Sequence, residues 1–599
     1  MIRRSPHLLL ILFALLLSAA VAPRPAPAAP EYIVAPLDSA PFGLNTHLAT
    51  RYPDPNSMNI PANLIARSGA SWVREDIHWY RIQPTAETWD WTFTDQAIRE
   101  LAKRKINIVG VLGHPPGWAT AYTGDAPSGF SFYAPDAQRF AVFTQAVVSR
   151  YSRYIHHWEV WNEPDNTLFW KPTPDPANYA RLLRTVSQSI RHTDPHAKIL
   201  IGGTNPFDTE FLGQVAEDGA WDSFDIIAIH PYVDPATPEA GNILAAADGV
   251  RALAARYGTK PIWATEVGWA SGPGDRDTIG PTDPQTQANN LVRALLLLWR
   301  SGVERIFWYE LKDDPGNPYG LVAFGTGRAD YRTLKPAFYA FRTLNQQLAG
   351  ATFIGLHDPF KRSVVLDFES FGSWRRGDQP YGQLTPTDAV QHSGRAAARL
   401  DYTFPTAGND YVVFRRDWPA AIPGRPYALG VWVYGDGSGN TLKVWLRDAE
   451  DEIVQYTLGT IGPPGWRLLQ APLGGPIASW DRINQIGNGR LDFPARLDAI
   501  VLDDAPDTFS GNGTLYLDDL STISGPEAYD LELRRGDTTL DILWAPLPLH
   551  ARISNTGTSA TIIERDGTEN DGAQRELTID PSILGLNIGP APIYVQHDR

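Results

Sequence analysis

The 599-residue chain contains no cysteine and only 2 methionines. Without cysteine there are no disulfides, no cysteine-ligated zinc, no iron–sulfur cluster, no thiol nucleophile and no lipid-modified N-terminal cysteine. Any metal would have to be held by oxygen or imidazole. Positive charge is scarce as well: 52 Lys and Arg face 67 Asp and Glu, a formal net charge of −15, which repels polyanions and argues against nucleic acid as a partner. Past the first 30 residues no apolar run is long enough to span a bilayer. The nearest, Leu291 to Trp299, falls inside an amphipathic helix pattern.

Aromatic residues are plentiful, with 20 Trp, 23 Tyr and 23 Phe. An acidic, tryptophan-rich surface suits sugars, whose C–H faces stack on rings while their hydroxyls meet carboxylates. Met1 to Pro30 begin with Arg3 and Arg4, run through the apolar stretch Leu8 to Ala22 and end in small residues and prolines. This reads as a bacterial-type secretory signal over residues 1–29, so a secreted, extracellular protein is expected, with no membrane attachment after cleavage.

From residue 30 to 350 a strand pattern followed by a helix pattern recurs eight times. The strands are expected at Phe42 to Thr46, Trp72 to Asp76, Ile106 to Leu112, His157 to Trp161, Lys198 to Gly202, Ile226 to His230, Ile262 to Glu266 and Arg305 to Tyr309. They are short apolar runs, as suits strands buried on both faces. Helices are expected at Thr94 to Lys105, Asp136 to Ser152, Ala177 to His192, Glu239 to Tyr257, Pro284 to Ser301 and Lys335 to Leu348, with Asp136 and Asp283 as N-caps. Eight such units predict an α/β fold, a (β/α)8 TIM barrel. Beyond it, helical periodicity gives way to short alternating runs such as Thr441 to Arg447, which predict all-β domains. A jelly-roll β-sandwich is expected over residues 363–525. A small accessory β-domain is split around it, residues 351–362 and 526–599, with Ala351 to Leu356 pairing with strands after Ala528.

Barrel chemistry sits at the C-terminal ends of the strands. There, Glu163 follows the fourth strand in Trp158-Glu159-Val160-Trp161-Asn162-Glu163-Pro164, and Glu266 closes the seventh in Ile262-Trp263-Ala264-Thr265-Glu266. A closed barrel can bring both carboxylates across its mouth, and paired carboxylates are what glycoside hydrolysis requires. Asn45, His47, His114, Trp118 and Glu310 stand just after other strands and are candidates for the pocket that receives the sugar.

Trp161-Asn162-Glu163-Pro164 followed by Glu266 in Thr265-Glu266-Val267-Gly268-Trp269 resembles the clan A glycoside hydrolases. The wider stretch Trp158 to Trp170, with Phe42-Gly43-Leu44-Asn45-Thr46-His47, is most similar to family 39, which includes β-xylosidases, iduronidases and bacterial exopolysaccharide hydrolases. The resemblance implies Glu163 as acid/base and Glu266 as nucleophile, with retention of configuration. It further implies Arg74 as the arginine that hydrogen-bonds the nucleophile, Asn162 as the contact to the sugar 2-hydroxyl, His230 and Tyr232 near the nucleophile, and Trp308 as a sugar platform. The implied activity is cleavage of β-linked oligo- or polysaccharides by a monomer that needs no cofactor for catalysis. The competing reading is a non-catalytic carbohydrate-binding surface protein on a degenerate barrel. The loops Ala119 to Pro135 and Ser271 to Asp283 would shape the mouth as an open groove or a blocked pocket.

Residues Val365 to Glu369 and Leu515 to Leu520 resemble the opening and closing strands of jelly-roll carbohydrate-binding modules. Those modules often hold a structural calcium, which would here use Glu369 and Asp518. Trp374, Tyr411, Trp432, Trp445, Trp466 and Trp480 include candidates for a stacking platform, and at least half of them are expected in the core.

Overall fold

The computed structural model describes residues 40–120, 131–274, 283–357, 361–426, 428–474, 477–504, 507, 509–524, 528–546, 549–554, 560–571 and 583–598. The signal segment and most of the two mouth loops named above lie outside the described residues.

Eight parallel strands form the barrel: β1 (Phe42–Asn45), β2 (Trp72–His78), β3 (Asn107–Gly113), β4 (His157–Val160), β5 (Lys198–Ile201), β6 (Ile227–Ile229), β7 (Ile262–Val267) and β8 (Arg305–Trp308). They run in the order β5-β4-β3-β2-β1-β8-β7-β6, and the bridges Leu200–Ile226 and Thr204–Ile229 close the ring. Each strand is a short run buried on both faces, sheathed outside by helices that start where a side chain can satisfy their open N–H groups. Asp136 accepts from Arg139 N, and Asp283 accepts from Gln285 N and Thr286 N with Pro284 in the first turn.

Two helices differ from expectation. The segment from Glu239 does not begin a helix; a 3-10 turn at Ile243–Ala247 precedes an α-helix at Asp248–Tyr257. Glu239 is instead fully buried against Arg293, a partner that periodicity cannot reveal. The helix Pro284–Arg300 is not amphipathic over Leu291 to Trp299, because every residue there is buried. Its outer side is covered by the accessory sheet, where Phe353 meets Trp299 edge to face at 5.8 Å. Among the described residues no helix is long and apolar enough to cross a membrane.

The strand Thr352–His357 pairs antiparallel with Tyr529–Arg535. The chain therefore lays down one strand of the accessory sheet, leaves for the jelly roll and returns. Thr538–Trp544, Ile593–Asp598, Ala560–Ile563 and Glu569–Asp571 complete that sheet, and Tyr529, Leu531, Trp544 and Tyr594 share one apolar core with the barrel helices. The jelly roll has its own core between two antiparallel sheets. Leu, Val and Ile from alternate positions fill it, so none of the six candidate rings is fully buried; Trp480 is 73% exposed. Trp374 packs against this core, and Tyr411 and Trp445 pack against a smaller apolar cluster of the same domain.

Candidate active site

Arg74 points from the middle of β2 into the barrel, where an unpaired guanidinium would cost several kcal/mol. All five of its N–H groups are engaged. Nε and Nη2 donate to Glu159 at 2.7 and 3.0 Å, Nη1 to Asn45 Oδ1 at 2.9 Å and to Glu266 Oε1 at 2.7 Å, and Nη2 to Asn162 Oδ1 at 2.7 Å. This fork, rigid by its planarity, sets the orientation of two mouth residues at once. Glu159, on β4 and fully buried, supplies the countercharge. It also accepts from Gly203 N at 3.0 Å and Thr265 Oγ1 at 3.3 Å.

Glu266 stands at the mouth end of β7, with Oε1 on Arg74 and Oε2 accepting from the Tyr232 hydroxyl at 2.9 Å. Burial disfavours its charge, but His230, Arg74 and Tyr232 together outweigh burial and hold the carboxyl well below the usual range. Glu163 lies in the turn after β4, where Trp161 and Glu163 both take positive φ, 76° and 45°. Backbone strain of this kind persists where surrounding contacts enforce it. Here His230 Nδ1 lies 2.7 Å from Glu163 Oε1, and Asn166 Nδ2 donates to Oε2 at 2.8 Å. His230 reaches Thr265 Oγ1 with its other nitrogen at 3.1 Å. A Cβ on Gly203 would stand 2.0 Å from that nitrogen, so the position must be glycine for the ring to fit. Burial works against a charged His230, yet Glu266 and Glu163 raise its pKa.

Glu163, Glu266, Arg74, Asn162, His230 and Tyr232 thus converge on one end of the barrel. Asn45 is there too, but it is fully buried and donates to Thr265 O at 2.9 Å while accepting from Arg74. It positions Arg74 and does not line a sugar pocket. Trp308 is no platform: it is 0% exposed, stacked 6.1 Å from Trp269, with its indole N–H on Tyr319 O. β8 ends at Trp308, and the ring that reaches toward Tyr232 is that of the next residue, Tyr309, at 6.5 Å.

Glu310 and His114 flank a neighbouring polar wall. Glu310 is paired with Arg51 and accepts from Asn317 Nδ2 at 3.1 Å; burial pushes its carboxyl up to about 7 despite Arg51 and His47. His47 Nδ1 meets Asp76 at 2.7 Å, and its Nε2 faces Glu310 at 3.6 Å. A narrow cleft here is lined by His47, Arg51, Glu310 and Arg328 among others. The His114 ring lies 4.1 Å from that of His78, and burial lowers its pKa to about 4, so it stays neutral near pH 7. Trp118 is held by Pro84 O and packs on Trp79.

Sequence reasoning passed over Glu159, Thr265, Asn166, Arg51 and Asp76. Glu159 left a signal, since an arginine in mid-strand inside a barrel demands a buried carboxylate, and Glu159 stood within the quoted Glu163 motif.

Glu163, His230 and Glu266 each place one ligand atom within 4.8 Å of the others, a spacing that a cation would also accept. Arg74, 2.7 Å from Glu266, already supplies the positive charge there and would repel a second. In the jelly roll, Glu369 Oε1 accepts the N–H groups of Arg395 and Ala396, and Asp518 accepts those of His392, Ser393 and Asp519. N–H groups aimed at these oxygens hold the 392–396 turn against the sheet. A calcium expected there would have to displace them, so this donor set fits the turn better than a cation.

Residues 136–323 match the family model described as glycosyl hydrolase catalytic core. A β-xylosidase of Geobacillus stearothermophilus is 31% identical over 102 residues, 15% of this chain and 20% of that protein; the chain matches about a fifth of that relative's length. Among solved structures, a family 39 glycoside hydrolase from the gut symbiont Bacteroides cellulosilyticus WH2 superposes with a TM-score of 0.51 at 16% identity, over 94% of this chain and 82% of that one. A family 39 β-xylosidase from Caulobacter crescentus covers 79% of this chain and 98% of its own at 15% identity, with a TM-score of 0.41. The matched segment resembles a glycosyl hydrolase catalytic core, and the barrel it belongs to shares its fold with a solved family 39 glycoside hydrolase.

Proposed function

We propose that the protein is a secreted retaining glycosidase that cleaves β-linked bonds in oligo- or polysaccharides, with Glu266 as nucleophile and Glu163 as acid/base. One observation carries the reading: an oxygen of Glu163 and an oxygen of Glu266 lie within 4.8 Å. Retaining pairs stand about 5–5.5 Å apart, whereas inverting pairs need about 6.5–9.5 Å to admit a water.

In the first step Glu266, kept ionised by Arg74 and Tyr232, attacks the anomeric carbon while Glu163 gives its proton to the departing oxygen. Asn162, fixed through its Oδ1 by Arg74, turns its amide N–H groups away from the arginine and toward the 2-hydroxyl of the bound sugar. Esterification removes the charge of Glu266. Glu163, now the carboxylate of the pair, takes a proton from water, and the hydroxide releases the sugar from Glu266 with its configuration restored. The scheme uses no cofactor, and one chain carries every group named.

Secretion is supported by Arg3, Arg4 and the apolar stretch Leu8 to Ala22, and is tested by the N-terminal mass of exported protein. The name of the curated relative makes aryl β-xylosides the first substrates. The mechanism is tested with a 2-deoxy-2-fluoro β-glycoside: a stable adduct on the peptide containing Glu266, and a first-formed product that keeps its β-configuration, are expected. An adduct elsewhere or an inverted product would overturn the assignment. Sugar binding with no turnover of any glycoside would return the non-catalytic alternative.

A further inference from the structure

The jelly-roll sheet that contains Ala428–Tyr434, Trp466–Pro472 and Gly511–Ser524 has two unlike faces. Leu429, Val431 and Val433 point into the sandwich core. By strand alternation Trp432 and Tyr434 point outward, and both are partly exposed. Register carries the same face across the sheet, because Tyr434 stands opposite Tyr516 on one side and Trp466 on the other. The ring centroids are 6.1 and 5.8 Å apart. His392 stacks on Trp432 at 4.0 Å and meets Trp466 edge to face at 5.6 Å. Tyr516, Tyr434 and Trp466 therefore form a line of partly exposed rings across three adjacent strands. The sandwich does not need them, since its core lies on the other face.

The location of the row is informative. Arg467, next to Trp466 on the edge strand, pairs with Glu210 of the barrel at 2.7 Å. Glu210 opens the helix that follows β5, so it lies on the mouth side, where strands end and helices begin. The connection before it carries Asn205, whose backbone N–H donates to Asp165 at 2.8 Å, two residues beyond Glu163. The five residues from Asn205 to Glu210 reach at most about 18 Å. The row thus starts beside the rim that holds the acid/base loop.

We propose that Tyr516, Tyr434 and Trp466 form a glycan track continuous with the barrel mouth, so that the substrate is an uncharged β-linked polymer whose distal units lie on the jelly roll. Tyrosine and tryptophan present an apolar ring with a polar edge, which matches a sugar's C–H face and hydroxyl rim. The charge opposite Tyr516 in register, Arg399, is bound to Asp401 and is not set to recruit an anion. The inference rests on the glycosidase reading and names the substrate class of that site.

The test uses the full chain. Binding is read with Glu266→Gln protein by affinity electrophoresis in gels containing xylan, β-glucan or mannan, and turnover is read on the same polymers and on an aryl glycoside. Trp466→Thr with Tyr516→Thr keeps residues that favour strands; the Tyr516→Thr single variant is the second probe, and Trp480→Ala, exposed outside the row, is the control. At least one polymer should retard the parent. The double variant should lose about tenfold in polymer affinity and polymer kcat/KM, with aryl glycoside turnover within about twofold and an unchanged melting temperature. Equal behaviour of variant and parent on polymer, a loss matched by Trp480→Ala, or no retardation of the parent by any polymer would overturn the track. Row-dependent retardation in a protein that cleaves no glycoside would instead remove the glycosidase reading and leave the binding surface standing.

Discussion

Among the described residues, two deeply buried arginine–glutamate pairs look alike in isolation and differ in what surrounds them. Arg293 donates to both oxygens of Glu239, and Trp544 Nε1 donates to the same carboxylate at 2.8 Å. The two side chains are 2% and 0% exposed. Every partner there is fixed, and the group joins the barrel to the accessory sheet. Arg74 likewise grips Glu159 with two bonds, but it has a second carboxylate, Glu266, on a further nitrogen. The other oxygen of Glu266 accepts from Tyr232 at the mouth and faces His230 Nδ1 at 3.9 Å. Burial of the pair therefore does not mark a site. A surplus carboxylate held at the open end does.

Replacing the two arginines separates the roles. Arg74→Met strands Glu159 without a countercharge and frees Glu266, so a loss of about 10³-fold in kcat on an aryl glycoside is expected together with about 3–5 kcal/mol of stability. Arg293→Met strands Glu239 in the same way and should cost a similar ~3–5 kcal/mol, while kcat per folded molecule stays within about twofold of wild type. Denaturant melts paired with active-site titration measure both quantities. A tenfold or larger fall in kcat for folded Arg293→Met protein would break the comparison.

A smaller change sharpens the contrast between the two carboxylates proposed to act on the sugar. Glu266 sits on a strand and is held by a charged fork, whereas Glu163 sits in a left-handed turn and is held by His230 and Asn166. Asn166→Ala removes one neutral bond from Glu163 and should lower kcat about tenfold, with stability changed by about 1 kcal/mol or less. Initial-rate kinetics at saturating aryl glycoside decide it. An unaltered kcat would mean that His230 alone positions Glu163.

The contrast also explains what could be read from the chain. The eight strands were legible because each is a short run buried on both faces, and the mouth carboxylates were legible because Glu163 follows the end of β4 and Glu266 lies at the end of β7. The supports were harder. Asn45 closes β1 just as a pocket residue would, and only the folded barrel shows its amide spent on Arg74 and Thr265. Trp308 closes β8 as a platform would, yet Trp269, 39 residues earlier, lies against it. Glu239 suggested the start of a helix because its partner, Arg293, comes from another element. In the jelly roll, alternation separates two faces without saying which is the core. The pairing of Tyr434 with Trp466 and Tyr516 is needed to show that three rings share the outer one.

Adjacent residues on β2 carry the same rule to its smallest test. Asp76 is buried, but His47, His78 and Arg51 hold its carboxyl well below the usual range. Glu75, on the opposite face, is equally buried and meets neutral donors, Thr46 Oγ1 and Ala49 N. Burial and the charge of Asp76 raise its pKa from 4.5 to about 7. Below about pH 4.5 both folded and unfolded chains hold this proton and Glu75 costs nothing. Between about 4.5 and 7 the unfolded chain releases it while the fold keeps it, so stability falls as pH rises, and the penalty is constant above about 7. Glu75→Gln retains an acceptor for Ala49 N and can donate to Thr46, so it should raise the barrel's stability by about 1 kcal/mol at pH 8 and by little at pH 5. Thermal melts of both proteins at the two pH values measure the difference. A gain of equal size at both would show that Glu75 is ionised in the fold throughout, and that a buried carboxylate in this barrel needs no charged partner.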